Sequence, residues 1–229
     1  PHVRYEHGDY GDAQFMKKLL GEAQQVILLA FSTNHSRFQY DPKGFTAERL
    51  SKINGFIHAV KEAGTPHVVV VSTGGAIYGN TAHVPIVESA PLEPVSAYGK
   101  ANAAMEVFVR SSRTHAVIVR PSNIYGPGQE PYAGQGFVAT AIASAIEGKP
   151  ISIFGKAGTV RDYLYGDDLG EGILASLLGG TSGATYNIGS GVGLSNKEIV
   201  DLLRPLAKRD GLSIEIEQLP ERSTDTPYN

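Results

Sequence analysis

The sequence predicts an α/β fold, a parallel sheet with helices between its strands, on three observations. Val26-Ile27-Leu28-Leu29 and Val68-Val69-Val70-Val71 are short unbroken apolar runs, as in strands covered on both faces. The stretches between such runs repeat their apolar residues with a period of 3.6 rather than two. Strand and helix patterns also alternate along the chain instead of segregating.

In order, His2 to His7 alternates in a strand pattern, and Ala13 to Leu20 reads as a helix. Gln25 to Ala30 is a buried strand. Thr46 to Ala63 is a helix with Leu50, Ile53, Ile57 and Val60 on one stripe; Thr46 is placed to cap it, and Gly64 with Pro66 ends it. His67 to Ser72 is the next strand, Tyr98 to Arg110 a helix and Ala116 to Arg120 a strand, after which Gly126-Pro127-Gly128 breaks the chain. The remainder has shorter elements. Phe137–Ile146, Asp168–Leu178 and Asn196–Leu206 read as helices, with Ser195 as a cap; Ile151–Phe154, Ala184–Ile188 and Leu212–Gln218 read as strands. This change of character predicts a smaller α/β C-terminal lobe over 129–229, interleaved with a first domain over 1–128.

With 229 residues and 41% hydrophobic content the chain can bury a real core. A net charge of -3 predicts no nucleic-acid partner. The absence of cysteine excludes disulfides, a thiol nucleophile and thiolate metal sites, and fits a reducing compartment such as the cytoplasm. No apolar run approaches the ~20 residues of a membrane helix, so no membrane association is expected. The seven histidines show no paired ligand spacing, so no metal is expected.

The most informative stretch joins a strand to Ser72-Thr73-Gly74-Gly75-Ala76-Ile77-Tyr78-Gly79, then a loop, then Tyr98-Gly99-Lys100. It resembles the catalytic segment of extended short-chain dehydrogenases/reductases of the NAD-dependent epimerase/dehydratase family, nearest to UDP-hexose 4-epimerases. The resemblance implies a Rossmann-like doubly wound parallel sheet, NAD as cofactor, a nucleotide-sugar substrate and a homodimer. It makes Tyr98 the group that exchanges a proton with a sugar hydroxyl, with Thr73, or Ser72 as runner-up, holding the same oxygen. A phenol with a pKa near ~10 is a poor base at neutral pH, and the family corrects this with a Lys four residues on, whose charge favours the phenolate. Here Asn102 stands at that position, and Lys100 projects to the opposite side of the helix. A family dehydratase carries Asp-Glu where Gly74-Gly75 stand, which leans the reading toward an epimerase.

Arg120-Pro121-Ser122-Asn123-Ile124-Tyr125-Gly126 is the second match; by resemblance Pro121 lies by the nicotinamide and Asn123 touches the nucleotide-sugar. The third, Val160-Arg161-Asp162-Tyr163, places Arg161 on the diphosphate with Tyr163 beside it; a local ion pair of Arg161 with Asp162 is the alternative. Arg222 would also grip the diphosphate. Gly8-Asp9-Tyr10 resembles the segment whose Asp contacts adenine, here Asp9, and Leu29-Ala30-Phe31 the strand end beneath the cofactor's ribose. The family's opening strand and Gly-rich turn are missing from the sequence, so roughly 40–50 upstream residues are expected natively, with a strand that belongs inside the sheet. The family's Asn is also missing between Gln39 and Ile53. Three readings stay open: an NAD-dependent nucleotide-sugar 4-epimerase, another nucleotide-sugar reductase, dehydratase or decarboxylase, and a non-catalytic binder because Asn102 replaces Lys.

Overall fold

A computed structural model describes residues 3–30, 41–64, 67–80, 84–134 and 136–221. Its elements are α1 (Ala13–Leu20), β1 (Gln25–Leu28), α2 (Pro42–Ala63), β2 (His67–Val71), α3 (Ala97–Ser111), β3 (Ala116–Pro121), β4 (Asn123–Tyr125), α4 (Phe137–Glu147), β5 (Ile151–Phe154), β6 (Val160–Tyr165), α5 (Gly166–Gly179), β7 (Thr185–Ile188), β8 (Gly193–Ser195), α6 (Asn196–Arg209) and β9 (Ile216–Leu219). The chain divides into two compact units that exchange the polypeptide several times. One comprises Pro1–Ser72, Ser96–Val119 and Ile173–Tyr186; the other comprises Thr73–Val95, Arg120–Gly172 and Asn187–Asn229.

The first unit is organised by a sheet in the order β1-β2-β3-β7. β1, β2 and β3 run parallel, with Ile27 opposite Val69 and Val69 opposite Val117. Alternation sorts the β2 and β3 side chains between the faces. Val68, Val70, Ala116 and Ile118 enter a core with Met16 and Leu20 of α1, Ile53, Phe56, Ile57 and Val60 of α2, and Met105 and Val109 of α3. Val69, Val117 and Val119, which point the other way, are equally buried. That two-sided burial is why the strands read as unbroken apolar runs.

Helix ends follow local chemistry. Asp12 caps α1, accepting from Gln14 N at 2.9 Å and Phe15 N at 3.1 Å. α2 begins earlier than its stripe suggested: Asp41, not Thr46, is the cap, accepting from Gly44 N at 2.9 Å. Pro42 suits the first turn, where no amide hydrogen is needed, and the Thr46 hydroxyl instead donates to Pro42 O at 2.7 Å. Gly64 closes α2 at φ 63°, a left-handed conformation that favours glycine. The expected His2–His7 strand does not form over its described residues. Val3 is 70% and Tyr5 90% exposed, and alternation yields a strand only beside a partner ladder.

In the second unit β4 pairs parallel with β6, and β6 antiparallel with β8. A separate parallel pair, β5 with β9, packs with α4 and α6 around Ala141, Ala145, Ile151, Ile153, Val200 and Ile214. Ser195 and Glu198 form a reciprocal capping box that starts α6, as the Ser195 cap predicted. The expected strand from Leu212 is shorter, confined to β9.

Candidate active site

α3 starts on Ser96, whose hydroxyl accepts from Gly99 N at 3.0 Å, and this sets Tyr98 in the first turn, half-buried. Residues four apart share a helix face, so Asn102 lies one turn along from Tyr98. Asn102 is fully buried, and its Nδ2 donates to Tyr98 O at 2.8 Å. The amide is thus turned on the backbone rather than on the phenol, and its Oδ1 is buried with no hydrogen-bond partner among the described residues. Lys100, two residues on from Tyr98, is exposed.

α2 packs beside α3 and brings a residue that sequence reasoning missed. Arg49 is buried, and its guanidinium carbon lies 5.9 Å from the ring centroids of both Phe45 and Tyr98. Burial pulls the Arg49 guanidinium below its ordinary proton affinity, while the nearby Tyr98 and Tyr10 oxygens act to raise it. The signal was in the sequence: Phe45, Arg49 and Ile53 follow at helical spacing, so a charge sits on the apolar stripe.

Ser72 follows β2 at the carboxyl edge of the sheet. Its N–H donates to Val119 O at 2.7 Å, while its buried Oγ has no partner among the described residues. The carboxyl edge of a parallel sheet is where dinucleotides bind, and an orphaned hydroxyl there fits a ligand that supplies the partner. Leu29 and Ala30 follow β1 at the same edge, and Leu29 is 63% exposed. Asp9 is exposed; it accepts from Gly11 N at 2.8 Å and pairs with Lys52 at 2.8 Å, and that bond holds its carboxyl below the usual range.

In the second unit Thr73 is buried next to Ser72 in the chain. Gly74 N donates to Pro121 O at 2.7 Å, and Pro121 is buried at the end of β3. Asn123 and Tyr163 are direct register partners across β4 and β6, so two expected substrate contacts stand side by side. The Tyr163 phenol is pushed up to about 12 by burial, against the opposing pull of Arg161 and a hydrogen bond from Asn196 Nδ2 at 3.2 Å. It is a neutral hydrogen-bonding group, not a base. Asp162 accepts from Ser190 N at 2.8 Å, Ser190 Oγ at 2.7 Å, Gly191 N at 2.9 Å and Ser122 Oγ at 3.3 Å. It therefore clamps the β7–β8 turn, while Arg161 donates to Val160 O at 2.7 Å. Phe31 and Arg222 lie outside the described residues.

A second missed feature is a buried network. Arg120 Nη1 donates to the Tyr78 hydroxyl at 2.6 Å and to Glu88 O at 3.2 Å; Tyr78 donates on to Asn187 Oδ1 at 2.6 Å. Asn187 in turn donates from Nδ2 to Ile86 O at 3.0 Å and from its N–H to Glu88 Oε1 at 2.9 Å. Among the described residues no cluster of His, Cys, Asp and Glu could hold a metal ion, and no helix is long and apolar enough to cross a membrane.

A parallel sheet with helices on it, a serine at a carboxyl strand end and a tyrosine opening the following helix define an extended short-chain dehydrogenase/reductase with a Rossmann-like fold. The sequence pattern of the NAD dependent epimerase/dehydratase family matches residues 1–189, and the chain belongs to that family. It is 32% identical over 219 residues to the dTDP-glucose 4,6-dehydratase of Streptomyces griseus, covering 94% of this chain and 65% of that protein. The UDP-glucose 4-epimerase of Thermotoga maritima, solved with UDP-glucose, superposes with a TM-score of 0.90 at 26% identity, over 99% of this chain and 74% of its own. The UDP-glucose 4-epimerase of Thermus thermophilus, solved with NAD, gives 0.84 at 27% identity over 97% and 74%. Epimerases and a dehydratase thus stand among the relatives, and NAD is the family's cofactor.

Proposed function

We propose that the protein is an NAD-dependent nucleotide-sugar 4-epimerase acting on a UDP-hexose. One observation carries the choice over dehydration. Where a dehydratase of the family needs an acid, this chain has Gly74, and a Cβ there would meet Pro121 O at 3.0 Å and Arg120 O at 3.2 Å, both backbone atoms. Any side chain at that position needs these backbone atoms to give by a few tenths of an ångström.

In this reading bound NAD would supply the reversible hydride acceptance at the sugar carbon. Tyr98 takes and restores the proton of the sugar hydroxyl, and Thr73 or Ser72 holds that oxygen. Asp9, Leu29, Ala30, Phe31 and Pro121 line the cofactor; Asn123, Arg161, Tyr163 and Arg222 hold the nucleotide-sugar. A second copy of the chain, joined through α2 and α3, is the proposed partner, and the cytoplasm the proposed location.

The test incubates the full-length protein with UDP-galactose, UDP-glucose and dTDP-glucose and identifies products by NMR. Interconversion of the UDP-hexoses, abolished by Tyr98→Phe, is the expected result. A 4-keto-6-deoxy product from any of them overturns the epimerase assignment. The non-catalytic reading is favoured by the buried, uncharged Asn102; it predicts nucleotide-sugar binding by calorimetry with no turnover even in Asn102→Lys.

A further inference from the structure

We propose that Arg49 is the cation that serves Tyr98, reaching it from α2 in place of the lysine that the family sets one turn along α3. This rests on the reading of Tyr98 as the proton-exchanging group and deepens it: the residue at position 49 becomes a positioning residue for that phenol.

Three observations converge. The guanidinium carbon of Arg49 is 5.9 Å from the Tyr98 ring centroid. The side chain is only 6% exposed, on a stripe otherwise occupied by Phe45, Ile53 and Phe56, where a charge is expensive to keep and is seldom found without a task. Position 102 supplies no charge, and its amide donor is committed to Tyr98 O at 2.8 Å. A guanidinium keeps its proton across the whole working range even after burial has weakened it. It therefore offers a permanent positive charge beside the Tyr98 ring. A lysine on α3 would do this from the tyrosine's own helix; Arg49 does it across the α2–α3 contact.

The neighbouring charges leave this role intact. Tyr10, like Tyr98, acts to raise the proton affinity of Arg49. Lys52 stands 5.9 Å from the Tyr10 ring centroid, paired with Asp9 at 2.8 Å and Glu48 at 3.5 Å. On α3, Glu106 is paired with Arg110 at 3.4 Å. The competing account is a cation–π staple that only fastens α2 to α3. A staple changes stability; a serving cation changes the pH at which Tyr98 works.

The experiment compares full-length wild type with Arg49→Met, Arg49→Gln, Arg49→Lys, the double variant Arg49→Met/Asn102→Lys, and Tyr98→Phe. Two quantities are read: the pH profile of kcat/KM for UDP-galactose, and the tyrosinate absorbance titration, differenced against Tyr98→Phe. The expected result is that Arg49→Met and Arg49→Gln move the acid limb upward by about one to two pH units, roughly a 10- to 100-fold loss on that limb. Arg49→Lys and the double variant bring most of the shift back, and the difference titration follows the same order. If the neutral variants fold and leave both the limb and the titration on the wild-type curves, Arg49 is a staple and the proposal fails. If Arg49→Met does not fold, Arg49→Gln decides on the same terms; if both unfold while Arg49→Lys shifts the limb as far as one unit, charge is not what matters and the proposal also fails. Full activity in Tyr98→Phe would sink the catalytic reading alone, since the titration still reports on Arg49.

Discussion

Each unit buries an arginine against a tyrosine, and the two pairs are built to opposite ends. Arg120 lies with its guanidinium carbon 5.0 Å from the Tyr78 ring centroid and donates a hydrogen bond to the phenol, which donates its own to Asn187 Oδ1; every step of that chain ends on a protein atom. In the unit of Arg49 and Tyr98 two polar atoms stay open: Asn102 Oδ1, one turn along α3 from Tyr98, and Ser72 Oγ after β2 are buried with no hydrogen-bond partner among the described residues. In a low-dielectric interior a closed network holds a shape, because opening it strands polar groups. Polar atoms left open at a strand edge are instead compatible with a ligand that completes them. The same residue types thus make a closed fastening in one place and, in the proposed reading, part of a site in the other.

The comparison can be broken by mutation. The largest effect is expected from Arg120→Met, which strands the Tyr78 hydroxyl and Glu88 O; the loss should be about 3 kcal/mol or more in urea unfolding. A loss below ~1 kcal/mol would mean that the network is not closed. Tyr78→Phe should follow at ~1–3 kcal/mol, since it deprives both Arg120 and Asn187 of a partner. Ser72→Ala should sharpen the contrast: stability within ~0.5 kcal/mol of wild type, because no hydroxyl bond to a described residue is lost, with turnover falling at least tenfold if the hydroxyl serves the substrate oxygen, as ~10²-fold losses are typical of positioned donors. Destabilisation without any kinetic effect would assign Ser72 to the fold instead.

The smallest effect is expected at the exposed Asp9–Lys52 pair. Asp9→Asn should cost under ~1 kcal/mol, since both side chains are partly solvated. The bond from Lys52 lowers the Asp9 carboxyl. Its contribution is therefore whole above the ordinary carboxylate value of ~3.9 and is lost as pH falls through the lower folded value. The bond to Asp9 raises Lys52, so its share is whole below ~10.4 and is lost as pH rises through the folded value. Thermal unfolding of wild type and Asp9→Asn across pH 2 to 7 should converge at the acid end; curves that stay parallel would remove the pair from the stability argument.

What the sequence made legible was whatever depends on near neighbours. The valine run of β2, the start of α3 at Tyr98 and the Ser195 cap are all local patterns, and each has its place in the structure. What it hid depends on distant partners. β6 went unread because Val160–Tyr165 is half-buried at every position but Leu164, with no alternation, and gains its identity from β4 and β8. The His2–His7 alternation promised a strand that no described neighbour supports. Tyr78 and Asn187 are 109 positions apart, so their bond leaves no trace in spacing. Arg49 was the intermediate case: its helical spacing on an apolar stripe was visible, but its meaning came only when α2 was laid against α3.

The crowding at Gly74 reaches beyond the present chemistry. Every substitution there begins by pushing carbonyl oxygens of residues 120 and 121, and the latter already accepts the Gly74 amide. Variation at this position is thus filtered by main-chain geometry before any selection for activity acts. A lineage or a designer seeking a new reaction through this turn gains most where the neighbouring strand end can give by a few tenths of an ångström, so a change that loosens that end favours the useful one.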